Sequence, residues 1–157
     1  MAPRWAHQPL SGQGAARAGG RWNRPGTPAL YMSEAFTTAI AEYGQDIGIR
    51  PGTLCAYDVS GQIVDLTDPV IQTLADAPSA TLLCPWKRIH LIDRRTPPTW
   101  ILADRLIAEG VGGIRVPSAQ DRQGVNLVLW RWNGDGGPTV TALDPLGDLP
   151  RDQQSWT

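Results

Sequence analysis

Helical periodicity is confined to a few stretches of this 157-residue sequence, with strand-like runs before and after them and no regular strand–helix–strand alternation. That distribution points to a mixed α+β domain. The first helix is expected from about Glu34 to Ile47, with Ser33 as N-cap and Gly48 as stop. Phe36, Ile40, Tyr43 and Ile47 recur at i, i+4, i+7 and i+11, forming one apolar stripe flanked by Ala35, Ala39 and Glu42. A second helix is expected from about Pro97 to Glu109, capped by Thr96 and ended by Gly110, and a short one over 68–75, opened by Thr67 or Asp68. Strands are expected at 29–33, 53–59, 62–66, 113–117, 126–132 and 139–143, with Ser60-Gly61 as the turn between the second and third. Residues 8–28 form a glycine-rich, looped opening in which 20–23 is extended. Trp130 and Trp132, two apart in a strand-like run, are expected on one face. Neither a repeat nor a linker divides the chain, so residues 1–157 read as one domain, with a core at about 4–143. The polar tail 144–157 is expected to be loosely ordered.

Composition narrows the function classes. With 41% apolar and 18% charged residues the chain is globular, and 14 basic against 15 acidic residues leave a net charge of −1. There is no basic stripe, which argues against direct nucleic-acid binding. An anionic ligand would have to be held by a few placed arginines. Cys55 and Cys84 lie in apolar stretches without C-x-x-C spacing and read as small buried thiols. His7 and His90 have no second ligand at metal-binding spacing, so no metal is expected and each reads as a surface or structural histidine. The N-terminus lacks a signal-peptide core and no apolar run approaches a membrane span, so the expected location is the cytoplasm.

The sequence contains no P-loop, no G-x-G-x-x-G after a strand, no G-x-S-x-G and no H-E-x-x-H. What stands out instead is a set of polar residues in costly places. Arg21, between Gly20 and Trp22, reads either as an arginine paired with a carboxylate or as a fork for a phosphate or ribose hydroxyl. Tyr31, inside an apolar strand, is either core or a platform for a flat ring. Glu42 is a solvated helical glutamate or a site carboxylate with room beside it. Ser118, after Pro117 at a strand end, is a turn residue or a site hydroxyl.

Taken in order, these residues sit in blocks that resemble a known family. Pro9-Leu-Ser-Gly-Gln-Gly-Ala, Gly19-Gly-Arg-Trp-Asn-Arg-Pro-Gly-Thr-Pro-Ala-Leu-Tyr-Met-Ser-Glu and Thr38-Ala-Ile-Ala-Glu are similar to the opening of a RES domain. Asp65-Leu-Thr-Asp-Pro, Thr99-Trp-Ile-Leu-Ala-Asp, Glu109-Gly-Val-Gly-Gly-Ile-Arg-Val-Pro-Ser-Ala and Asn126-Leu-Val-Leu-Trp follow in the same order, from about Arg4 to Leu143. The arginine, glutamate and serine that name the family fall on Arg21, Glu42 and Ser118.

The resemblance implies a fold akin to the ADP-ribosyltransferase core, with small mixed sheets around an NAD-binding cleft. It implies a toxin that consumes NAD+ as substrate by hydrolysis or phosphorolysis, or alternatively transfers ADP-ribose to a protein acceptor. A helical, Xre-like antitoxin that covers the cleft is the implied partner. By the same resemblance Glu42 supplies negative charge, Arg21 holds the diphosphate or the nicotinamide-side ribose, and Tyr31 brackets the nicotinamide ring. Ser118 bonds the ligand or fixes Glu42, Arg4 adds a phosphate contact, and Trp5 flanks a ring or joins the core. A binding-only module and a tryptophan-based docking protein are the rival classes.

Overall fold

A computed structural model describes residues 1–44, 48, 51–134, 136–152 and 154, with only the backbone of Arg4. A 3-10 turn at Pro3–Trp5 leads into α1 (Gln13–Ala18) and β1 (Leu30–Ser33). Next come α2 (Phe36–Gly44), β2 (Ala56–Ser60), β3 (Val64–Asp65), α3 (Pro69–Leu74), α4 (Ser79–Leu82) and α5 (Trp86–Leu91). The chain then forms α6 (Pro98–Ala108), β4 (Gly113–Pro117), β5 (Val125–Leu129) and β6 (Thr139–Leu143). The strands build a four-stranded sheet in the order β1-β5-β4-β3 and a two-stranded ribbon β2-β6. All pairings are antiparallel except β3 with β4. The mixed α+β expectation holds.

Alternation along the strands gives the larger sheet two distinct faces. Leu30 and Leu129 face the ribbon and pack with Val140, Met32, Tyr57, Val59 and Trp132. Ile114, Val116 and Val128 face the other way, where α6 lays down Leu102, Ala103 and Leu106. Each fully buried aliphatic side chain there is worth roughly 1.5–3 kcal/mol. The register places Tyr31 beside Val128 and Ser33 beside Asn126, so both polar residues share this second face. Toward Ser33, Asn126 and Ser118 the face turns polar, and there the site forms.

Several expected elements are corrected. α2 starts at Phe36, not Glu34: Ser33 ends β1, and its hydroxyl donates to Asn126 rather than capping a helix. Residues 45–47 lie outside the described part, so the expected end at Ile47 is not addressed. The stripe on α2 faces outward, with Phe36 66% and Ile40 47% exposed, and Thr38 is the buried residue of the helix. The strands flanking Ser60-Gly61 do not form a hairpin: β2 pairs with β6 and β3 with β4. Pro97, not Thr96, occupies the N-cap of α6 and offers no side-chain cap. β5 ends at Leu129, and past that point Trp130 joins the α6 side of the core while Trp132 packs toward the ribbon. The looped opening contains α1, and 20–23 is a tight turn closed by one bridge between Gly20 and Asn23. Both cysteines are free thiols; Cys84 is buried and Cys55 half-buried.

The junction of β1 and α2 is pinned by Arg115 on β4. Its guanidinium reaches Glu34 in bidentate fashion (Nε–Oε1 2.5 Å, Nη2–Oε2 2.9 Å), and Nη1 donates to Asp65 (2.9 Å) and Thr67 (2.7 Å). The Arg115 hydrogen bonds hold the Glu34 carboxyl below its ordinary pKa. For Asp65 burial pulls upward, but the Thr67 hydroxyl and amide together with Arg115 outweigh it. Lowered native pKa values mean that this stabilisation is complete above the unfolded values of about 4 and is lost as pH falls through the native ones. All three side chains are a third or more exposed, or nearly so, which limits the network to about 1 kcal/mol. Arg115→Met is therefore expected to lower the urea midpoint slightly at pH 7 and to flatten its fall as pH drops below the unfolded carboxylate values of about 4. Identical acid slopes in urea titrations of variant and wild type would remove this network from the acid lability.

Candidate active site

Arg21 projects from the Gly20–Asn23 turn, which is anchored by the Trp100 indole donating to the Gly20 carbonyl (2.7 Å). The neighbouring Trp22 is buried. Nη1 of Arg21 donates to the Cys84 carbonyl at 2.6 Å and, more weakly, to that of Leu82 at 3.4 Å. These are carbonyls just past and within α4, and that of Cys84 also accepts from the Trp86 amide at 2.8 Å. Burial lowers the Arg21 pKa, opposed by Cys84, Glu42 and Tyr31 nearby, and the group remains cationic. Among the described residues it forms no salt bridge, so its charge is not spent on a carboxylate partner.

Tyr31 on β1 is divided between two environments. Its hydroxyl donates to Asn23 Oδ1 (2.7 Å) and accepts from the Trp22 amide (2.9 Å), and sealing it from water raises its pKa far above the usual phenol value. Yet the residue as a whole is 43% exposed. A pinned hydroxyl with the rest of the side chain open is the geometry of a platform, not of a core residue. Asn23 itself is buried, and its Nδ2 donates to Ala15, Thr27 and, at 3.1 Å, to Arg24 carbonyls.

Glu42 is turned inward from α2. Its Oε1 accepts from Ser118 Oγ and from Asn126 Nδ2, both at 2.7 Å. The Ser118 oxygen in turn accepts from the amides of Gln120 and Asp121 (3.1 Å each), so its own proton is committed to Glu42. Asn126 Oδ1 accepts from Ser33 Oγ at 2.7 Å, which fixes the amide with its nitrogen toward the carboxylate. One turn earlier on the same helix face, Thr38 donates to Asp121 at 2.6 Å. Gly124 permits that approach: a Cβ there would lie 2.5 Å from the Thr38 methyl. The Thr38 hydroxyl also holds the Asp121 carboxyl below its ordinary pKa. Thus α2 grips the β4–β5 loop with its polar face, and this grip turns the apolar stripe to solvent.

The fold therefore gathers Arg21, Tyr31, Glu42 and Ser118 from four separate elements. Arg4 lies in the 3-10 turn, and its side chain is outside the described part. Trp5 is 38% exposed and so is not core. Asn126, Asn23 and Thr38 lie in the family-like blocks but had no site role assigned from the sequence. For Asn126 a signal existed, because an amide at the head of an apolar strand run is costly unless something uses it. Neither histidine enters the cluster: His90 packs against Trp100 (centroids 4.6 Å apart) and His7 beside Trp5. Among the described residues no three His, Cys, Asp or Glu side chains gather to hold a metal ion, and no helix is long and apolar enough to cross a membrane. Chemically the cluster presents a fixed carboxylate, a desolvated arginine and an open aromatic ring, a set suited to a ligand with a cationic or flat ring, hydroxyls and an anionic group.

Comparison with known proteins gives a family and a similar fold. A family model described as the RES domain matches residues 2–152. No curated protein sequence matches. Among solved structures, the fold is similar to a chain in the M. tuberculosis MbcT–MbcA toxin–antitoxin complex, with 20% identity and a TM-score of 0.50 over 87% of this chain and 78% of that one.

Proposed function

Because this chain belongs to the RES domain family, we propose that it is the toxin of a type II toxin–antitoxin pair and that it destroys NAD+ by cleaving the nicotinamide–ribose bond. The observation that carries this reading is the Glu42 carboxylate, held by Ser118 and Asn126 within the field of Arg21.

In the reaction the C1′–N1 bond breaks and its electron pair neutralises the pyridinium, so nicotinamide leaves as a neutral base. No general acid is needed on that side, in keeping with a cluster built without histidine. Positive charge grows on the ribose as an oxocarbenium-like transition state forms. Glu42 stabilises that charge and orients the ribose hydroxyls, while Tyr31 brackets the nicotinamide ring. Arg21 holds the diphosphate or the adjoining ribose, and Arg4 belongs to the same proposal as a second phosphate contact. Ser118 acts by fixing Glu42. Water attacking C1′ gives ADP-ribose and a proton; phosphate attacking there gives a phosphorylated ADP-ribose. A protein side chain in the same position would make the chain an ADP-ribosyltransferase.

The same reading makes the site of action the cytoplasm and the partner an Xre-like antitoxin that covers the cleft. It is supported by the neighbour's own assembly as a toxin–antitoxin complex and by the exposed Phe36 and Ile40 on the helix that carries Glu42.

The test is incubation of antitoxin-free protein with NAD+, with and without phosphate, and identification of the products by mass. Free nicotinamide with ADP-ribose is the expected result for hydrolysis, and a phosphorylated ADP-ribose only when phosphate is present for phosphorolysis. Added mass on a co-incubated protein would move the activity to transfer. NAD+ left intact throughout, with Arg21→Ala binding it as well as wild type, would overturn the enzyme reading.

A further inference from the structure

The turn that carries Arg21 is held from outside by two buried tryptophans. Within it the Gly20 amide donates to the Asn23 carbonyl at 3.0 Å. The carbonyls on either side of Arg21 are taken by indoles: Trp100 Nε1 donates to that of Gly20 (2.7 Å) and Trp130 Nε1 to that of Trp22 (2.8 Å). We propose that Trp100 and Trp130 are positioning residues, whose indole N–H groups clamp the main chain on both sides of Arg21 and so aim its guanidinium at the dinucleotide. This inference rests on the NAD+ reading and adds to it the device that holds the arginine in place.

An indole suits that task, because its N–H is a donor only and sits on a rigid plane that packing can fix. Neither ring is free to turn away. Trp100 is 4% exposed and is enclosed by His90 (centroids 4.6 Å), Trp86 (6.4 Å) and the Arg24 guanidinium (5.3 Å from the ring). Arg24 in turn bonds Asp104 at 2.7 Å, one turn beyond Trp100 on the same face of α6. α6 therefore holds the chain at Gly20 and again at Arg24. Trp130 is 5% exposed and packs in the core cluster with Trp22, Leu102 and Leu106. Its own amide donates to the Gly112 carbonyl at 2.9 Å, just before β4.

The clamp matters because the Arg21 side chain is only partly engaged. Among the described residues its bonds are made by Nη1 alone, to the Cys84 and Leu82 carbonyls. Nε and Nη2 are left for a ligand, the same pair with which Arg115 takes the Glu34 carboxylate in bidentate fashion. The aim of that open fork is set by the main chain behind it. β5 gives the fork and the site carboxylate a common frame: Asn126 at one end holds Glu42, and Trp130, just past the other end, holds the arginine turn.

Trp100→Phe and Trp130→Phe delete the N–H and keep an aromatic ring. Benzothienylalanine at either position deletes it and keeps the size of the indole, which covers the case that phenylalanine folds poorly. Each variant is expected to raise KM for NAD+ about tenfold with kcat within about threefold, because Arg21 grips parts of the dinucleotide whose charge does not change in the reaction. Phenylglyoxal modification, followed by peptide mass, reads the arginine itself without NAD+. Arg21 is expected to react about fivefold faster in the variants, the opening that one lost hydrogen bond allows. Arg115, held by Glu34 and Asp65, should react at the wild-type rate. Unchanged Arg21 reactivity in folded variants would overturn the clamp, and so would an unchanged KM in an active enzyme. An equal rise at Arg115 would overturn it too, since that marks a general loosening. Faster modification of Arg21 alone, with NAD+ left intact even by wild type, would sustain the clamp and sink the cleavage reading instead.

Discussion

Glu42→Gln is expected to fold as wild type does and to lose NAD+ cleavage by a factor on the order of 10²–10³. Glutamine keeps an oxygen where Oε1 accepts from Ser118 and Asn126, so the 2.7 Å contacts that position the side chain survive. What disappears is the negative charge. Under the proposed mechanism that charge matters little to bound NAD+ and much to the oxocarbenium-like transition state, so kcat falls and KM changes little. Alanine is a less clean choice, because it removes the acceptor of the buried Ser118 hydroxyl, a loss of about 1–3 kcal/mol, and that of the half-buried Asn126 amide. Single-turnover release of nicotinamide, with thermal unfolding as the folding control, measures the effect. A Glu42→Gln rate near wild type would take Glu42 out of the chemistry.

Local patterns were legible in the sequence, and non-local ones were not. α6, β4 and β6 lie close to where periodicity and strand-like runs place them, because each signal is carried within the element itself. α1, α4 and α5 have only four to six residues, too short for a periodic signal, and they hold shape through tertiary contacts instead. The turn at Ser60-Gly61 is real enough as a break, but strand partners are chosen across the chain: β2 takes β6 and β3 takes β4. The case of α2 is the most instructive. Periodicity finds a stripe but cannot say whether it faces core or solvent. Here the decision was made by Asp121 and Ser118, some eighty residues away, which draw Thr38 and Glu42 inward. The candidate site shows the same division. Arg21, Tyr31, Glu42 and Ser118 were recoverable as residues of the right chemistry in a family-like order. Asn126, which completes the hold on Glu42, was read as the start of a strand and the head of a family-like block, with no site role. The partners of Arg21, two main-chain carbonyls, have no side-chain signature at all.

Gly20→Ala is expected to lower stability by roughly 1–3 kcal/mol through overpacking, and the same change should cost less in a Tyr31→Phe background. A Cβ at position 20 would lie 2.5 Å from the Tyr31 hydroxyl oxygen and 2.7 Å from Asn23 Oδ1. Neither can step aside cheaply: the hydroxyl is pinned between the Trp22 amide and Asn23, and Asn23 is committed through Nδ2 to Ala15 and Thr27. The backbone at position 20 is not in the left-handed region, so alanine is excluded by space rather than by conformation. Tyr31→Phe alone removes two hydrogen bonds and costs about 1 kcal/mol or more, because it leaves the Trp22 amide without its acceptor. In the double variant the lost hydroxyl vacates the volume that the new methyl needs. Its loss should therefore be smaller than the sum of the single losses by about 1 kcal/mol, a coupling that only direct contact produces. Urea midpoints of the four proteins supply the cycle. Strict additivity would mean that the alanine is accommodated by moving the Gly20–Asn23 turn instead. Arg21 would then shift with that turn, and Tyr31→Phe would recover neither the stability nor the NAD+ turnover of Gly20→Ala.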